Sequence, residues 1–273
     1  MWSSALHLLA PFKFGIAGRR VRFAQTTWTY DIIQVLGNLR LMEEQKPLLA
    51  DRTFKVDLHI HTCASKDSAV RPADAIRAAK RRGLDRICIT DHNRIDGALV
   101  AKGIAPEFVI VGEEILTTHG EILAFFVSEW VPPFLSHLET LDRLETQGAV
   151  ISVSHPFDRH RHPWNDEMLE AILSRLDAVE GLNARSLHAH DNQLSQEFAA
   201  VHNLPMTAGS DAHTTVEIGA AYLEMPGFTS AEEFRAGLAG STIHGRLSPA
   251  WVHCITLVNK WRSKLGLKPR IGK

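Results

Sequence analysis

Short apolar runs alternate with amphipathic stretches from residue 56 onward, and this alternation predicts strands and helices in turn. Gly and Pro stand at many of the boundaries, as expected where helices begin or end. Apolar strands that alternate with helices indicate a parallel sheet, and their number indicates closure into a barrel. The predicted strands cover 56–61, 86–90, 108–112, 121–127, 149–154, 178–182, 206–210 and 220–225, and the predicted helices cover 72–82, 135–147, 167–175, 192–202 and 231–238.

In the first predicted strand, polar and apolar residues alternate strictly. Asp57, His59 and His61 share one face because side chains alternate with a period of two, and the other face is entirely apolar. Two neutral imidazoles one strand repeat apart can bind a single divalent cation. A lone histidine would more often be a core or surface residue, but the pair indicates a metal site.

Ionisable or amide side chains recur at the carboxyl ends of the predicted strands. In α/β barrels this rim is where active sites are built. A purely structural origin would scatter such groups over many loops, so their position favours one functional site. The residues are His59, His61, His92, Glu114, His155, Asn183, Asp211 and His213.

Five motifs follow one another along this rim: Asp-Leu-His-Ile-His-Thr at 57–62 with Asp67 downstream, Ile-Thr-Asp-His at 89–92, Gly-Glu-Glu at 112–114, Ser-His-Pro at 154–156 and Gly-Ser-Asp-Ala-His at 209–213. Through these motifs the chain resembles, over roughly 56–227, the PHP family, the polymerase and histidinol phosphatase metal-dependent phosphoesterases. The resemblance implies an α/β fold, a distorted (β/α)7 barrel of the PHP type. It also implies two to three bound divalent metal ions.

The resemblance assigns a ligand set by position. It implies that one metal is held by His59, His61, Glu114 and Asp211, that Glu114 bridges to a second metal held by His155, and that a third is held by Asp67, His92 and His213. Mixed imidazole and carboxylate ligands without thiolate suit Mn, Zn or Fe, and the sequence does not choose among them.

One position departs from the family pattern. Many relatives place a histidine on the second metal where this chain has Glu121. We expect Glu121 to act as a harder ligand; in the alternative, Glu121 is solvated and His119 replaces it. The family pattern Gly-x-Glu selects Glu114 over Glu113, and adjacent strand residues point in opposite directions.

The implied activity is hydrolysis of phosphate mono- or diesters by attack of a metal-bridging hydroxide. Nucleotides, short oligonucleotides and other phosphorylated small molecules are the expected substrates, with RNA or DNA ends as further candidates. Arginine matches phosphate oxygens in pairs, so we predict catalytic roles for Arg159 and Arg185. His213 and His160 are candidates for the general acid. Trp164 either stacks on a nucleobase or, as we favour, caps the start of a helix.

Two other functions remain open from the sequence. Amidohydrolase-type barrels also begin with Asp-x-His-x-His and hydrolyse C–N or ester bonds, but the motifs at 89–92 and 209–213 supply extra ligands for a third metal. A non-catalytic metal-binding module would require lost ligands, and only the position of Glu121 is irregular.

Charge is distributed unevenly around a formal net charge of −1. Residues 246–273 contain seven Lys and Arg and no Asp or Glu, and residues 1–55 are also basic, so the centre is acidic. Bound cations would offset that acidity. We therefore divide the chain into an N-terminal extension of unknown role (1–55), a PHP phosphoesterase domain (56–245) and a basic C-terminal tail or helix (246–273).

The ends of the chain yield three further expectations. Met42 is a candidate alternative start site. In the C-terminal segment, Trp251, Ile255 and Val258 share one face of a predicted helix, and we expect that face to pack on the barrel. In the alternative, this basic segment contacts RNA, DNA or an anionic membrane surface. Three scattered cysteines and the lack of a long apolar run predict a cytoplasmic protein without a disulfide framework or a transmembrane segment; the oligomeric state is open.

Overall fold

A computed structural model describes residues 52–271 of the 273-residue chain. The predictions about the role of residues 1–51 and about Met42 lie outside the described residues. The first described strand begins at Thr53, so the last residues of the predicted extension belong to the sheet.

Nine strands in the described part of the chain form one sheet. Eight of them match predicted strands; the ninth has only four residues, none of them buried, and therefore carried little apolar signal. The strands are β1 (Thr53–Ile60), β2 (Arg86–Ile89), β3 (Val109–Leu116), β4 (Glu121–Phe125), β5 (Val150–Val153), β6 (Ala178–Asn183), β7 (Met206–Gly209), β8 (Ala221–Pro226) and β9 (Thr242–Gly245).

Seven α-helices are present in residues 52–271. The second was not predicted, because its buried face consists of Gly97, Ala98 and Ala101 and is only weakly apolar. The helices are α1 (Pro72–Arg81), α2 (Asp96–Ile104), α3 (His137–Thr146), α4 (Asp166–Ile172), α5 (Ala189–His202), α6 (Ala231–Gly237) and α7 (Trp251–Lys264). None of the described helices is long and apolar enough to cross a membrane.

The sheet is mixed and not purely parallel. Its strand order is β7-β6-β5-β4-β3-β2-β1-β8-β9. β4 runs antiparallel to both β3 and β5, and β8 runs antiparallel to both β1 and β9. The expectation of a parallel sheet is therefore wrong for β4 and β8; β3 and β4 are joined by a short hairpin of four residues, too short for the crossover that a parallel pair requires.

The two ends of the sheet approach each other at the rim that carries the five motifs of the sequence. Ile60, at the end of β1, forms a parallel bridge with Ala212, three residues beyond β7. The bridge is made by His61 N–H donating to the Ala212 carbonyl at 2.9 Å and Ala212 N–H donating to the His59 carbonyl at 3.3 Å. This contact makes the sheet a nearly closed, distorted barrel and confirms the predicted fold class.

The alternation along β1 is interrupted. The pairing register with β2 shifts between Asp57 and Ile60. Val56 and Leu58 pack in one apolar cluster, whereas Ile60 packs in another with the side chains of α1 and α2. The strict two-residue period predicted for this strand therefore does not hold along its whole length.

The C-terminal helix α7 packs on the barrel with a face other than the predicted one. Its buried residues are Val252, Thr256 and Asn259, whereas Trp251 and Val258 are 53% and 56% exposed. The prediction that the Trp251 face packs on the barrel is wrong. The exposed and the buried face have the same residue spacing. The prediction chose the more apolar of the two faces, and that choice is incorrect.

Candidate metal centre

The two histidines at the end of β1 lie at the centre of the site. His59 and His61 are completely buried, and their Nε2 atoms are 3.0 Å apart. The shift of register in β1 does not separate them. Both side chains therefore face one point at the rim of the barrel, as the His-x-His spacing predicts.

Glu114 on β3 and Asp211 just beyond β7 enclose this pair. Glu114 Oε1 is 3.3 Å from His59 Nε2, and Glu114 Oε2 is 3.5 Å from His61 Nε2. Asp211 Oδ1 is 3.2 Å from His61 Nε2 and 3.7 Å from His59 Nε2. Ligand atoms of His59, His61 and Asp211 all lie within 4.8 Å of one another, close enough to coordinate a single cation.

Glu114 also faces a second group of side chains. Its Oε1 is 3.1 Å from His155 Nε2, and Glu121 Oε2 is 3.6 Å from the same nitrogen. Glu121 is buried in the cluster, whereas His119 Nδ1 lies 3.1 Å from His137 Nδ1. The geometry thus favours Glu121 over His119 at the position where the sequence departs from the family pattern.

A third group lies on the other side of His61. Asp67 is 3.5 Å from His92 Nε2 through Oδ2 and 3.4 Å from His213 Nε2 through Oδ1. The rings of His92 and His213 pack against His61, with centroid distances of 4.2 and 4.3 Å. The structure thus brings all nine predicted ligand residues into one continuous cluster.

Neighbouring acceptors fix the tautomers of two of these histidines. His59 Nδ1 lies 2.8 Å from Glu180 Oε1, and His213 Nδ1 lies 2.8 Å from the carbonyl oxygen of Asp211. Carboxylate and carbonyl oxygens can only accept, so each Nδ1 carries the proton. The Nε2 lone pairs are therefore directed into the cluster and are free to bind a metal.

The same reasoning applies to His61 through a hydroxyl group. Ser65 Oγ donates its one proton to Asp91 Oδ1 at 2.6 Å, so it accepts from His61 Nδ1 at 3.2 Å. His61 therefore directs its Nε2 lone pair toward His59 Nε2, 3.0 Å away. When both rings are neutral, their Nε2 lone pairs are available to one cation placed beside them.

Several buried acceptors in the cluster have no hydrogen-bond partner. They are Asp67 Oδ1, Glu114 Oε2, Asp211 Oδ1 and His155 Nδ1. Unpartnered buried polar atoms are costly, and three of these four are carboxylate oxygens of predicted ligands. The donor set of imidazole nitrogens and carboxylates fits divalent Mn, Zn or Fe.

The local electrostatic field favours positive charge. Burial lowers the pKa of His59, but the Asp211, Glu114 and Glu180 carboxylates outweigh burial and raise this pKa well above its ordinary value. Burial raises the pKa of Asp67, but His213 and His92 outweigh it and lower this pKa below its usual range. The carboxylates that stabilise an imidazolium at His59 would equally attract a divalent cation, and the lowered pKa of Asp67 keeps its carboxylate ionised, as a metal ligand requires.

Three buried carboxylates that sequence reasoning missed support the ligands. Glu180 on β6 also accepts from the His155 amide at 2.8 Å, and Asp91 accepts from the Thr62 amide at 2.7 Å. Asp57 was placed on the polar face of β1 without a role; it accepts from the Ser210 amide at 2.9 Å, and its burial raises its pKa to about 6. A lone acid within an apolar strand was the only sequence signal for Glu180.

The arginine that reaches the cluster is not the predicted one. Arg159 is exposed and does not line the cavity above the cluster, whereas Arg161 pairs with the carboxylate of Asp211 and with Asp158. Two successive turns, closed by the Asp158 amide on the His155 carbonyl and by the Arg161 amide on the Asp158 carbonyl, leave Arg159, the arginine nearest to His155 in sequence, exposed. Arg161 therefore takes the place predicted for Arg159.

Arg185 lies where predicted, at the cavity wall, but it is already engaged. It is 3% exposed, its Nη1 is 3.3 Å from Glu217 Oε1, and its Nη2 donates to Thr256 Oγ1 at 2.6 Å. The contact with Thr256 attaches α7 to the barrel. Arg185 thus joins the site to the C-terminal helix.

Trp164 is not available to a nucleobase. It is 5% exposed, packs over Gly120 and donates through Nε1 to the Glu121 carbonyl at 3.2 Å. It lies just before the Asn165 cap of α4, in agreement with the favoured role at the start of a helix.

A cavity of about 740 Å³ opens above the cluster. Asp67, His92, Glu121 and His213 form its inner wall. Five basic side chains line other parts of the cavity together with apolar residues such as Pro133 and Phe134, and three of the lining residues come from α7. The basic lining residues are Lys66, Arg94, Arg161, Arg185 and Lys260, and those from α7 are His253, Thr256 and Lys260.

A nearly closed α/β barrel with an imidazole and carboxylate cluster at its rim defines the class of metal-dependent barrel hydrolases. A family model described as the PHP domain matches residues 57–143, and one described as PHP-associated matches residues 189–241. The chain belongs to the PHP family, which confirms the resemblance found in the sequence.

The relatives of this chain span archaea and bacteria. An uncharacterized protein of Methanocaldococcus jannaschii is 35% identical over 194 residues, which cover 66% of this chain and 77% of the relative. A protein named probable phosphatase YcdX, from Escherichia coli, is 26% identical over 200 residues, 61% of this chain and 81% of the relative. The fold is similar to that of PsfC from Pseudomonas syringae, with a TM-score of 0.58 and 19% identity over 78% of this chain and 99% of that chain.

Proposed function

We propose that this protein is a metal-dependent phosphoesterase that hydrolyses phosphate mono- or diesters, with nucleotides or short oligonucleotides as the substrate class. The observation that carries the proposal is the joint position of nine candidate ligands beneath a cavity with a basic wall. The name of the phosphatase relative in Escherichia coli agrees with it. The presence of Asp67, His92 and His213 as a third group favours a phosphoesterase over an amidohydrolase.

The nine residues of the cluster would hold two to three divalent ions. Bound there, such ions supply a water of lowered pKa as the nucleophile and Lewis acidity toward phosphoryl oxygens. Glu114 lies between the first two ligand groups and would orient both. Glu180, Ser65 and the Asp211 carbonyl keep the imidazole lone pairs aligned before substrate arrives, which lowers the cost of reorganisation.

Arg161 is the cation best placed for the phosphoryl group. Its guanidinium is paired with Asp211, and its five N–H donors leave others free for phosphate oxygens. Burial lowers the pKa of Arg161, but Asp211 and Glu114 raise it above its ordinary value, so it stays charged throughout the physiological range. Lys66 is exposed, lines the cavity and would attract anionic substrates, whereas the guanidinium of Arg94 is already paired with Asp96.

His160 is the stronger candidate for the proton donor to the leaving group. It lines the cavity and is exposed, whereas the Nε2 lone pair of His213 faces Asp67 within the cluster. For His160→Gln we expect kcat to fall about 100-fold with an alkyl phosphate and far less with p-nitrophenyl phosphate, whose leaving group needs no proton. Equal losses with both substrates in steady-state assays would exclude His160 as the acid.

The test combines metal content with turnover. Protein loaded with Mn, Zn or Fe is analysed for bound metal and assayed for release of phosphate or p-nitrophenol. The substrates are nucleoside monophosphates, short oligonucleotides and bis-p-nitrophenyl phosphate. We expect two to three metals per chain, and loss of both metal and turnover in His59→Ala and Asp211→Ala. Glu170→Ala, which alters an exposed carboxylate on α4, serves as the control.

Each contrary outcome identifies a different alternative. Full metal loading with hydrolysis of amides or lactones but of no phosphate ester would establish the amidohydrolase activity in its place. A folded protein that binds no metal after loading would establish the non-catalytic module.

A further inference from the structure

The helix α7 carries its apolar stripe on the outside. Its barrel-facing residues include Thr256 and Asn259, which are buried although polar. Thr256 accepts a hydrogen bond from Arg185 at 2.6 Å. An amphipathic helix at the surface of a globular protein normally buries its apolar face, so the polarity of α7 is reversed.

The outward face is strongly apolar. Side chains spaced three or four residues apart lie on one face of a helix, and the spacing from Leu257 through Trp261 to Leu265 therefore forms a continuous stripe. Their exposed fractions are 67%, 70% and 58%. Trp251 and Val258 extend the stripe, and Leu267, beyond the helix, is 60% exposed.

Exposed cations flank the stripe. Arg262 and Lys264 lie on α7, and Arg270 follows it. No Asp or Glu occurs anywhere in residues 246–273. The segment therefore presents aromatic and aliphatic side chains together with positive charge alone.

We propose that the outward face of α7 binds an anionic phospholipid surface. An interfacial helix of this kind inserts its apolar stripe at the boundary of head groups and acyl chains while Lys and Arg contact anionic head groups. Tryptophan is enriched at that boundary. The apolar stripe matches the boundary with the acyl chains, and the flanking cations match the anionic head groups.

Charge and side-chain type argue against two other binding partners, a second copy of this chain and single-stranded nucleic acid. A second copy docked face to face would bring two basic segments together, which costs association energy. Single-stranded nucleic acid is recognised by aromatic stacking in a basic groove, whereas the stripe includes Leu257, Val258 and Leu265, which cannot stack on bases.

Membrane binding would hold the cavity close to the lipid surface. His253, Thr256 and Lys260 lie on α7 and line the cavity, and Lys268 donates to the carbonyl of Cys63 at 3.1 Å. Because α7 is fixed to the loop that follows His61, its orientation at a membrane also orients the candidate metal centre.

The experiment is co-sedimentation of the full chain with phosphatidylcholine vesicles that contain or lack phosphatidylglycerol. We expect sedimentation only with phosphatidylglycerol, weakened by added salt. For the double variant Leu257→Ser/Leu265→Ser we expect about a tenfold lower partition coefficient. The matched control, Leu138→Ser/Val201→Ser, alters exposed aliphatic residues on α3 and α5 and should bind normally.

Charge is tested separately. Arg262→Glu/Lys264→Glu should lower the partition coefficient at least tenfold, since basic residues near an anionic surface are attracted to it and glutamates are repelled. Arg81→Glu/Arg143→Glu, on α1 and α3, is the control of equal charge change. Circular dichroism and metal content verify that each variant is folded.

Three outcomes would overturn the proposal. The first is no binding to anionic vesicles at low salt, and the second is equal binding by the Leu257→Ser/Leu265→Ser variant. The third is a self-associated or RNA-bound protein, detected by analytical ultracentrifugation or gel shift, whose association is abolished by the same variant while vesicle binding is absent.

Discussion

At the scale of single residues, the candidate metal centre depends on side chains that touch no substrate. Glu180 accepts from His59 Nδ1 and also from the His155 amide. One carboxylate thus fixes a ring orientation in the first ligand group and the backbone of the second. Loss of such an outer partner typically costs about 10- to 100-fold in metal affinity or activity.

Glu180→Gln is therefore expected to weaken metal binding about 10- to 100-fold without unfolding the protein. The amide can still accept from one donor, but its NH₂ group then faces either the His155 amide or His59 Nδ1–H. Competition with a fluorescent chelator measures the affinity. The control is Glu170→Gln on the surface of α4, and equal affinities for the two variants would contradict the prediction.

Glu113 points to the side of β3 opposite to Glu114, and its titration predicts a dependence of stability on pH. Burial raises its pKa from an ordinary 4.5 to about 8, and its Oε1 has no hydrogen-bond partner. The folded protein therefore keeps a proton that the unfolded chain releases above pH 4.5. Stability from this group is complete at low pH and is lost progressively as pH rises toward 8.

Glu113→Gln should remove this loss because glutamine does not titrate. When the pH rises from 6 to 8, the original protein should lose about 2 kcal/mol of its free energy of unfolding through Glu113. We expect the variant not to show this loss. Urea unfolding of chelator-treated protein at both pH values measures the difference. Glu145→Gln, on the exposed side of α3, should retain the loss; a parallel pH dependence for Glu113→Gln would refute the assignment.

At the scale of elements, β7 and β1 approach each other closely at Gly209. A Cβ atom on Gly209 would lie 2.8 Å from the His59 amide nitrogen and closer still to the His59 side chain. Only a glycine at this position lets the two strands meet beside the metal ligands.

Gly209→Ala should consequently destabilise the protein by about 3 kcal/mol and reduce metal content, because His59 must shift. Thermal and urea unfolding measure the first effect and elemental analysis the second. The control is Gly103→Ala in α2, where a Cβ meets nothing within 4 Å; it should stabilise the helix by about 0.5–1 kcal/mol. Similar effects of the two substitutions would contradict the role of Gly209.

The elements also show how far the sequence could lead. The strand ends that carry His59, Glu114 and Asp211 were predictable because apolar runs end there in polar motifs. The reversed direction of β4 was not, because an apolar run carries no sign of its direction. The prediction chose Arg159 although Arg161 is the arginine that reaches the cluster. The reason is similar, because spacing along a loop does not determine which side chain turns inward.

The C-terminal helix α7 illustrates another limit of prediction from the sequence. The stripes at Trp251 and at Val252 have identical spacing, and hydrophobicity favoured the first. Contacts between polar groups, chiefly Arg185 with Thr256, select the second. Such pairings join residues that are distant in the sequence and leave no local pattern.

At the scale of the whole molecule, the ligand groups link distant parts of the chain. Burial and the neighbouring Glu114 raise the pKa of Glu121, so a bound cation would relieve a repulsion between these two carboxylates in the folded state. Binding to the folded state alone stabilises it according to ligand concentration and affinity.

Chelation of all metals should therefore lower the melting temperature by about 5–10 °C, and Mn should restore it. Differential scanning calorimetry measures both changes. Asp211→Ala, which lacks a central ligand, should melt at the same temperature with or without Mn. A chelator-insensitive melting temperature in the original protein would show that metal and fold are uncoupled.

The seam between β1 and β7 has a consequence for how the chain folds. Ser210 and Asp57, which hydrogen-bond across it at 2.5 Å, are 153 positions apart in the sequence. Contacts of such separation form late, because a long loop must close first. His59 and Asp211 flank the seam. An ion bound by both residues would therefore stabilise the contact between β1 and β7 as soon as it forms. Refolding in the presence of Mn should then reach the native state with fewer open, association-prone intermediates than refolding in its absence.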